Sequence, residues 1–200
     1  MRDSIEPEES TSNNIYSDSL YQLNLRSSMK NLVQFPEKKI IITISELLNN
    51  ICNDNNSTKI NDNNIATNKK IRYFMLKNIP SISIKDFLIR LTKYGKICES
   101  TLIMILIYVD RICHRYNFKI TYNNIYKLML VAMVIATKYN EDEIYSSDFY
   151  AKLGGISKIE LNNLEYDFLS MINFNLFISE DLFYKYYGLL VENESDDEIE

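Results

Sequence analysis

The sequence predicts an all-α protein: a five-helix domain built around one buried central helix, with one further helix before it and one after it. Three observations carry that prediction. Four glycines and three prolines punctuate 200 residues of 46% hydrophobic content, and strict period-2 alternation is rare, so the regular structure should be nearly all helix. Within YNNIYKLMLVAMVIATKY, Leu128 to Ala136 is an unbroken apolar run. A helix with no polar side has to be covered on every face, and this run falls short of the ~20 residues that a bilayer span needs. The cover must therefore be other helices of the same chain. Finally, Ser83 with Asp86 and Ser157 with Glu160 form S-x-x-[DE] capping boxes ahead of amphipathic runs.

Taken in order, residues 1–38 are polar, with the clusters EPEES and TSNN, and are expected to be disordered. Leu47, Leu48 and Ile51 recur at helical spacing, which predicts a helix over 39–52. Residues 53–70 are Asn-rich and read as a solvated loop, long enough to be an insertion. The segment RYFMLKNIP reads as irregular, and Pro80 stops any helix before it. Phe87, Leu88, Leu91 and Tyr94 then form the apolar face of a helix ended by Gly95. The next helix, from Glu99 to Tyr116, places Leu102, Ile103, Leu106, Val109, Ile112 and Cys113 on one face. Thr121 is the expected cap of the central helix. Ser146 and Ser147 open a short helix closed by Gly154 and Gly155, and the helix started by Ser157 carries Leu161, Leu164, Phe168, Leu169 and Ile172 on one stripe. A last helix is expected over 179–191, with Glu180 and Asp181 in its first turn where the dipole favours anions. An unstructured acidic tail over 192–200 follows.

The formal charge of −5 has to be located before it is interpreted. Met1 to Glu9 carry −3 and Glu192 to Glu200 carry −6, which leaves +4 on everything between. That body has no dense Lys/Arg stripe of the kind that grips phosphate backbones, so no nucleic-acid partner is expected. Cys52, Cys98 and Cys113 are odd in number and none is at C-x-x-C spacing. Reduced thiols of an intracellular protein, nuclear or cytoplasmic, are the plain reading. No metal site, cofactor, secretory signal, membrane association or small-molecule substrate is expected; G-x-x-x-x-G-K-[ST], G-x-G-x-x-G and H-E-x-x-H are all lacking.

Three ionisable residues fall on apolar stripes instead of solvent faces. Asp110 lies between Leu106 and Cys113, Lys138 follows Val134 and Ile135, and Glu165 sits between Leu161 and Leu169. A desolvated charge requires a partner. In one reading the three form structural ion pairs within the domain. In the other, Lys138 and Glu165 emerge at a common edge and meet polar groups of another protein.

The order of motifs resembles the cyclin box. YVDRICHRY is similar to the second-helix signature, in which an Asp-Arg pair ends an apolar run, and ATKYNED to the end of the third helix, where cyclins carry Ala, Ser or Thr before a Lys followed by acids. ELNNLEYDFLSMINFNL is similar to the fifth helix, with its L-x-x-L-E-x-x-F-L pattern. More narrowly, IPSISIKDFLIRLTKY together with YAKLGGISKIELNNLEYDFL resembles the P/U-type, phosphate-pathway-like cyclins, in which x-KxGGhxxxELNxLExxFL recurs. The resemblance covers about residues 70 to 178 and, more weakly, 40 to 52. A single cyclin box is thus expected over 71–178, with no second five-helix repeat.

What the resemblance implies is a non-catalytic subunit that binds and activates a cyclin-dependent kinase as a heterodimer. Lys138 and Glu165 are expected to hydrogen-bond the kinase's regulatory C-helix and the segment before it. Packing that helix inward completes the Lys-Glu pair that positions ATP. An interface of this type should exceed about 2,000 Å², with Phe149 and Tyr150 supplying flanking apolar contact. Asp142, in the loop after Lys138, is expected to offer an acid to an activation-loop arginine in place of a phosphate. The wider family pairs the second-helix Asp with an Arg at the start of the first box helix. Here Ser81 stands near that position, which leaves Arg72 and Arg90 as candidate partners of Asp110 in a structural ion pair. The alternative is a cyclin-fold transcription or scaffold adaptor that activates no kinase.

Overall fold

The computed structural model describes residues 37–57 and 69–191. Within them the chain forms eight α-helices: α1 Glu37–Ser57, α2 Lys69–Phe74, α3 Ile84–Gly95, α4 Glu99–Tyr116, α5 Ile125–Asn140, α6 Ser147–Gly154, α7 Lys158–Met171 and α8 Glu180–Val191. Residues 1–36, 58–68 and 192–200 lie outside this description, and so do the expectations that fall on them.

The hub is α5. Every residue from Leu128 to Thr137 is buried, because α3, α4, α6 and α7 pack around the helix. Truncating one of its large side chains to Ala should cost about 2–5 kcal/mol. The approach of α6 to this hub needs a glycine: a Cβ added at Gly154 would lie 2.0 Å from Leu130 Cδ2. Gly155 follows in the left-handed region with φ 73°, and its N–H and that of Ile156 bond the carbonyls of Lys152 and Ala151. That is a glycine C-terminal stop, so the two adjacent glycines do different work.

Serine caps set where three helices begin. Ser83, Ser146 and Ser157 accept hydrogen bonds from the N–H groups of Asp86, Phe149 and Glu160, satisfying donors that the first turn leaves open. The central helix begins differently from expectation. Asn124, not Thr121, precedes it; Asn124 Oδ1 accepts the Thr121 N–H and its Nδ2 donates to the Lys119 carbonyl, each at 2.9 Å. Both partners precede Asn124 in the chain, so its amide closes the 119–124 turn that leads into the helix and leaves the first helical N–H groups uncapped by a side chain.

Three further elements depart from the sequence reading. Helix α1 runs on to Ser57 because tertiary bonds hold its Asn-rich end: Asn55 Nδ2 donates to the Ile120 carbonyl at 2.8 Å, and the Tyr122 hydroxyl donates to Asn53 Oδ1 at 3.0 Å. Arg72 to Phe74, expected to be irregular, lie in α2, where Phe74 is fully buried with its ring edge-on to Phe168 at 6.2 Å. Finally, α4 is covered on nearly every side and not only on one face. Ile105, Ile107 and Tyr108 are buried along with the expected stripe, and Leu182, Tyr186 and Leu190 of α8 are buried as that helix packs against α4.

Candidate functional site

Of the three misplaced charges, one is internal and two meet at the surface. Asp110 is buried on α4, where its Oδ2 accepts a 2.5 Å hydrogen bond from the Tyr186 hydroxyl of α8. Among the described residues no ion pair joins Asp110 to either arginine expected of it: Arg72 is exposed on α2, and the Arg90 guanidinium sits 5.3 Å over the Phe87 ring. Asp110 thus fastens the C-terminal helix to the domain, and its charge, after burial itself, helps push the Cys113 thiol well up.

Lys138 lies in the last turn of α5 and Glu165 mid-way along α7. The packing of those helices brings Nζ to 2.6 Å from Oε1 and 2.8 Å from Oε2. Their side chains are 35% and 15% exposed, so the pair is neither sealed in the core nor free in water. The first reading holds for these two residues, which form an ion pair within the domain, and the pair stands at the partly exposed edge that the second reading requires. An ammonium has three donors and the Glu165 oxygens take two, so one N–H of Lys138 remains for another group.

Exposed aromatic side chains adjoin this pair in the chain. Tyr139 follows Lys138 and is exposed; Tyr166 follows Glu165 and is exposed. Leu169, one turn beyond Glu165 on the same face of α7, receives the N–H of Phe174 on its carbonyl at 2.7 Å. This turns the chain back at the end of α7, with the Phe174 ring 6.5 Å from that of Tyr166. Phe174 is 59% exposed and Phe177 69%. Exposed aromatics grouped beside a polar pair mark an interaction surface. The sequence reading passed over Tyr166, Phe174 and Phe177, although MINFNLF, an apolar run continuing past the end of a helix, carried the signal.

The loop after α5 divides its three acids. Glu141 accepts from the Cys98 N–H at 3.0 Å and the Thr101 hydroxyl at 2.5 Å, at the start of α4. Burial alone would raise its pKa, but these hydrogen bonds outweigh burial and hold the carboxyl below the usual carboxylate range. Glu143 lies near the Lys96 ammonium, whose pKa is raised first by the hydrogen bond with Tyr145 and then by the charge of Tyr145 and Glu143. Asp142 is exposed.

The two flanking aromatics differ in role from expectation. Tyr150 is fully buried, and its hydroxyl accepts the Tyr145 N–H at 3.1 Å. It supports the loop from beneath and presents no surface to a partner. Phe149 is half-buried with its ring 4.4 Å from that of Tyr145, and keeps an outward side.

A five-helix domain, four helices packed around one apolar helix, with a Lys-Glu pair where the third and fifth of the five meet, defines a cyclin-fold domain. The chain belongs to the cyclin family: the family model described as Cyclin matches residues 38–176. Its curated relatives are PHO85 cyclins and plant U- and P-type cyclins, in line with the glycine-containing motif at 150–169. PHO85 cyclin-7 of Saccharomyces cerevisiae is 33% identical over 184 residues, 83% of this chain and 65% of that protein. PHO85 cyclin-like protein psl1 of Schizosaccharomyces pombe is 43% identical over 112 residues, 54% of this chain and 46% of that protein. Cyclin-U4-1 of Arabidopsis thaliana is 32% identical over 154 residues, 76% of this chain and 74% of that protein. The aligned part of this chain spans 65% of the first of these relatives and 46% of the second.

Proposed function

We propose that this chain is a regulatory subunit that binds and activates a cyclin-dependent protein kinase, and does no chemistry of its own. The observation that carries the reading is the Lys138–Glu165 pair, partly exposed, with exposed Tyr139 and Tyr166 next to it in the chain and Phe174 beside Tyr166. A free domain has little reason to hold a charged pair among exposed aromatics. A partner helix laid across that edge would bury the rings while its backbone polar groups met the remaining donor of Lys138 and the lone pairs of Glu165. Pressing the kinase C-helix inward this way completes the Lys-Glu pair that positions ATP, so geometry is all that the subunit needs to supply.

Asp142 is assigned to the kinase activation loop. Glu141 is held by the start of α4, and of the two exposed acids Glu143 lies near Lys96, so the role is given to Asp142. Its charge would take an activation-loop arginine that a phosphate otherwise engages. Phe149 flanks this contact, with Tyr150 behind it. Similarity to two proteins named as PHO85 cyclins supports a kinase of the PHO85 type as the partner, inside the cell.

The test is reconstitution: purified chain is added to cyclin-dependent kinase catalytic subunits from the source cell, and phosphorylation of a serine/threonine peptide is followed. A saturable rise at one-to-one stoichiometry with one of them is expected. No rise with any of them, together with a shift of a DNA duplex at physiological salt, would favour the adaptor reading instead.

A further inference from the structure

The chain that carries Phe174 and Phe177 is held in an unfavourable conformation. Asn173 and Phe174 both have φ 55°, the left-handed region that a bulky side chain rarely enters. Asn173 alone completes an ordinary helix stop: its N–H bonds the Ser170 carbonyl while that of Phe174 bonds Leu169. A second left-handed residue is not needed for that stop. Strain of this sort persists where surrounding groups over-determine it.

Those groups come from α4. Arg111 Nη1 donates to the Asn175 carbonyl at 2.6 Å, and Nη2 to the Phe177 carbonyl at 2.7 Å. Between them, the Tyr108 hydroxyl donates to the Leu176 carbonyl at 2.8 Å. Three successive carbonyls are thus fixed by two side chains one turn apart on α4, and the Arg111 guanidinium lies 5.6 Å over the Tyr108 ring. A rigid fork suits two carbonyls at a fixed separation, where a lysine ammonium would act as a single point. The result is that Phe174 and Phe177 are left outside the core, although both are large and apolar.

We infer that Arg111, with Tyr108, is a positioning residue for partner binding: it clamps 175–177 so that the Phe174 and Phe177 rings are presented ready-made beside the Lys138–Glu165 pair to an apolar partner helix. This rests on the docking reading above. Without the clamp the segment relaxes, and each encounter has to immobilise both rings anew.

The variants are Arg111→Gln, Arg111→Lys, Phe174→Ala and the double variant Arg111→Gln with Phe174→Ala, each measured against the kinase catalytic subunit that the wild type activates. Arg111→Gln should weaken binding roughly tenfold, the cost of ordering two side chains on association, and Arg111→Lys should not restore it. Because the clamp acts through Phe174 and Phe177, Arg111→Gln should cost clearly less affinity in the Phe174→Ala background than in the wild type, the remainder belonging to Phe177. Losses that multiply, or wild-type affinity for Arg111→Gln, would overturn the inference; a merely structural arginine would lower the melting temperature without this non-additivity. Chymotrypsin supplies an independent reading. Arg111→Gln should be cut after Phe174 or Phe177 faster than wild type while α5 and α7 stay intact. If the wild type activates no kinase, the docking reading fails, and unchanged cleavage would then sink the clamp as well.

Discussion

The sharpest consequence concerns the Lys138–Glu165 pair, because its value to the free domain and to a complex should differ by an order of magnitude. In the free chain the pair is bidentate at 2.6 and 2.8 Å, but the lysine side chain is 35% exposed. Solvent screening keeps such a pair near 0.2–1 kcal/mol. For a domain of this size that is a melting shift of at most about 4 °C. Under a docked helix the same charges lose water, and truncating one leaves the other unpaired. Lys138→Ala or Glu165→Ala should then weaken kinase binding by roughly 2–5 kcal/mol, about thirtyfold to a few thousandfold. Titration calorimetry and thermal melting of the same samples separate the two effects. The charge-swapped variant Lys138→Glu with Glu165→Lys sharpens the contrast: it should recover the melting temperature by restoring an ion pair, yet still bind weakly, since the partner meets the wrong sign at each position. Full affinity in the swapped variant, or single variants that melt early and bind normally, would show that the pair serves only the fold.

Other outcomes follow from the same geometry. Asp142→Asn should bind kinase normally but activate it less when the activation loop is unphosphorylated, in a peptide-phosphorylation assay; equal activation would remove the role given to this acid. Gly154→Ala should destabilise by about 1–3 kcal/mol, as forced overpacking does, because its methyl group meets Leu130; denaturant unfolding reads this directly. Glu141→Gln should melt earlier than wild type near neutral pH. A carboxyl depressed in the fold contributes stability above its ordinary pKa of 4.5 and loses it as pH falls through the lower folded value, so the two melting curves should converge in acid. Among the thiols, burial pushes Cys52 to about 12 and Cys113 well up, while Cys98 is exposed. A disulfide reagent at pH 8 should therefore label Cys98 in the native protein and all three in denaturant, as mass spectrometry of the labelled chain would show.

What the sequence made legible was whatever rests on local chemistry. Ser83, Ser146 and Ser157 cap helices because a side chain three residues before a free N–H can reach it, whatever the rest of the chain does. The 128–136 run had to be buried, and the periodic positions of Lys138 and Glu165 put both on inward-leaning stripes, so their meeting was within reach of the pattern. What escaped was set by contacts distant in sequence. The Asn-rich end of α1 looks like a loop until Ile120 and Tyr122 bind it. KKIRYF has no helical signal of its own, and Phe74 gains its place from Phe168. Tyr150 reads as a partner contact from its position after Phe149, yet its hydroxyl meets the backbone of Tyr145 in the interior. The Phe174 edge was hidden for the same reason: its conformation is imposed by Arg111 and Tyr108, more than sixty residues earlier in the chain.

The most direct test of the central claim places a photo-activated benzoyl-phenylalanine at Tyr166, which is exposed, adjoins Glu165 and touches the Phe174 ring. Irradiating the active complex should cross-link this position to the C-helix of the kinase N-terminal lobe, identified by peptide sequencing. A complex that is active but cross-links there to nothing, or to a surface remote from the C-helix, would contradict the account.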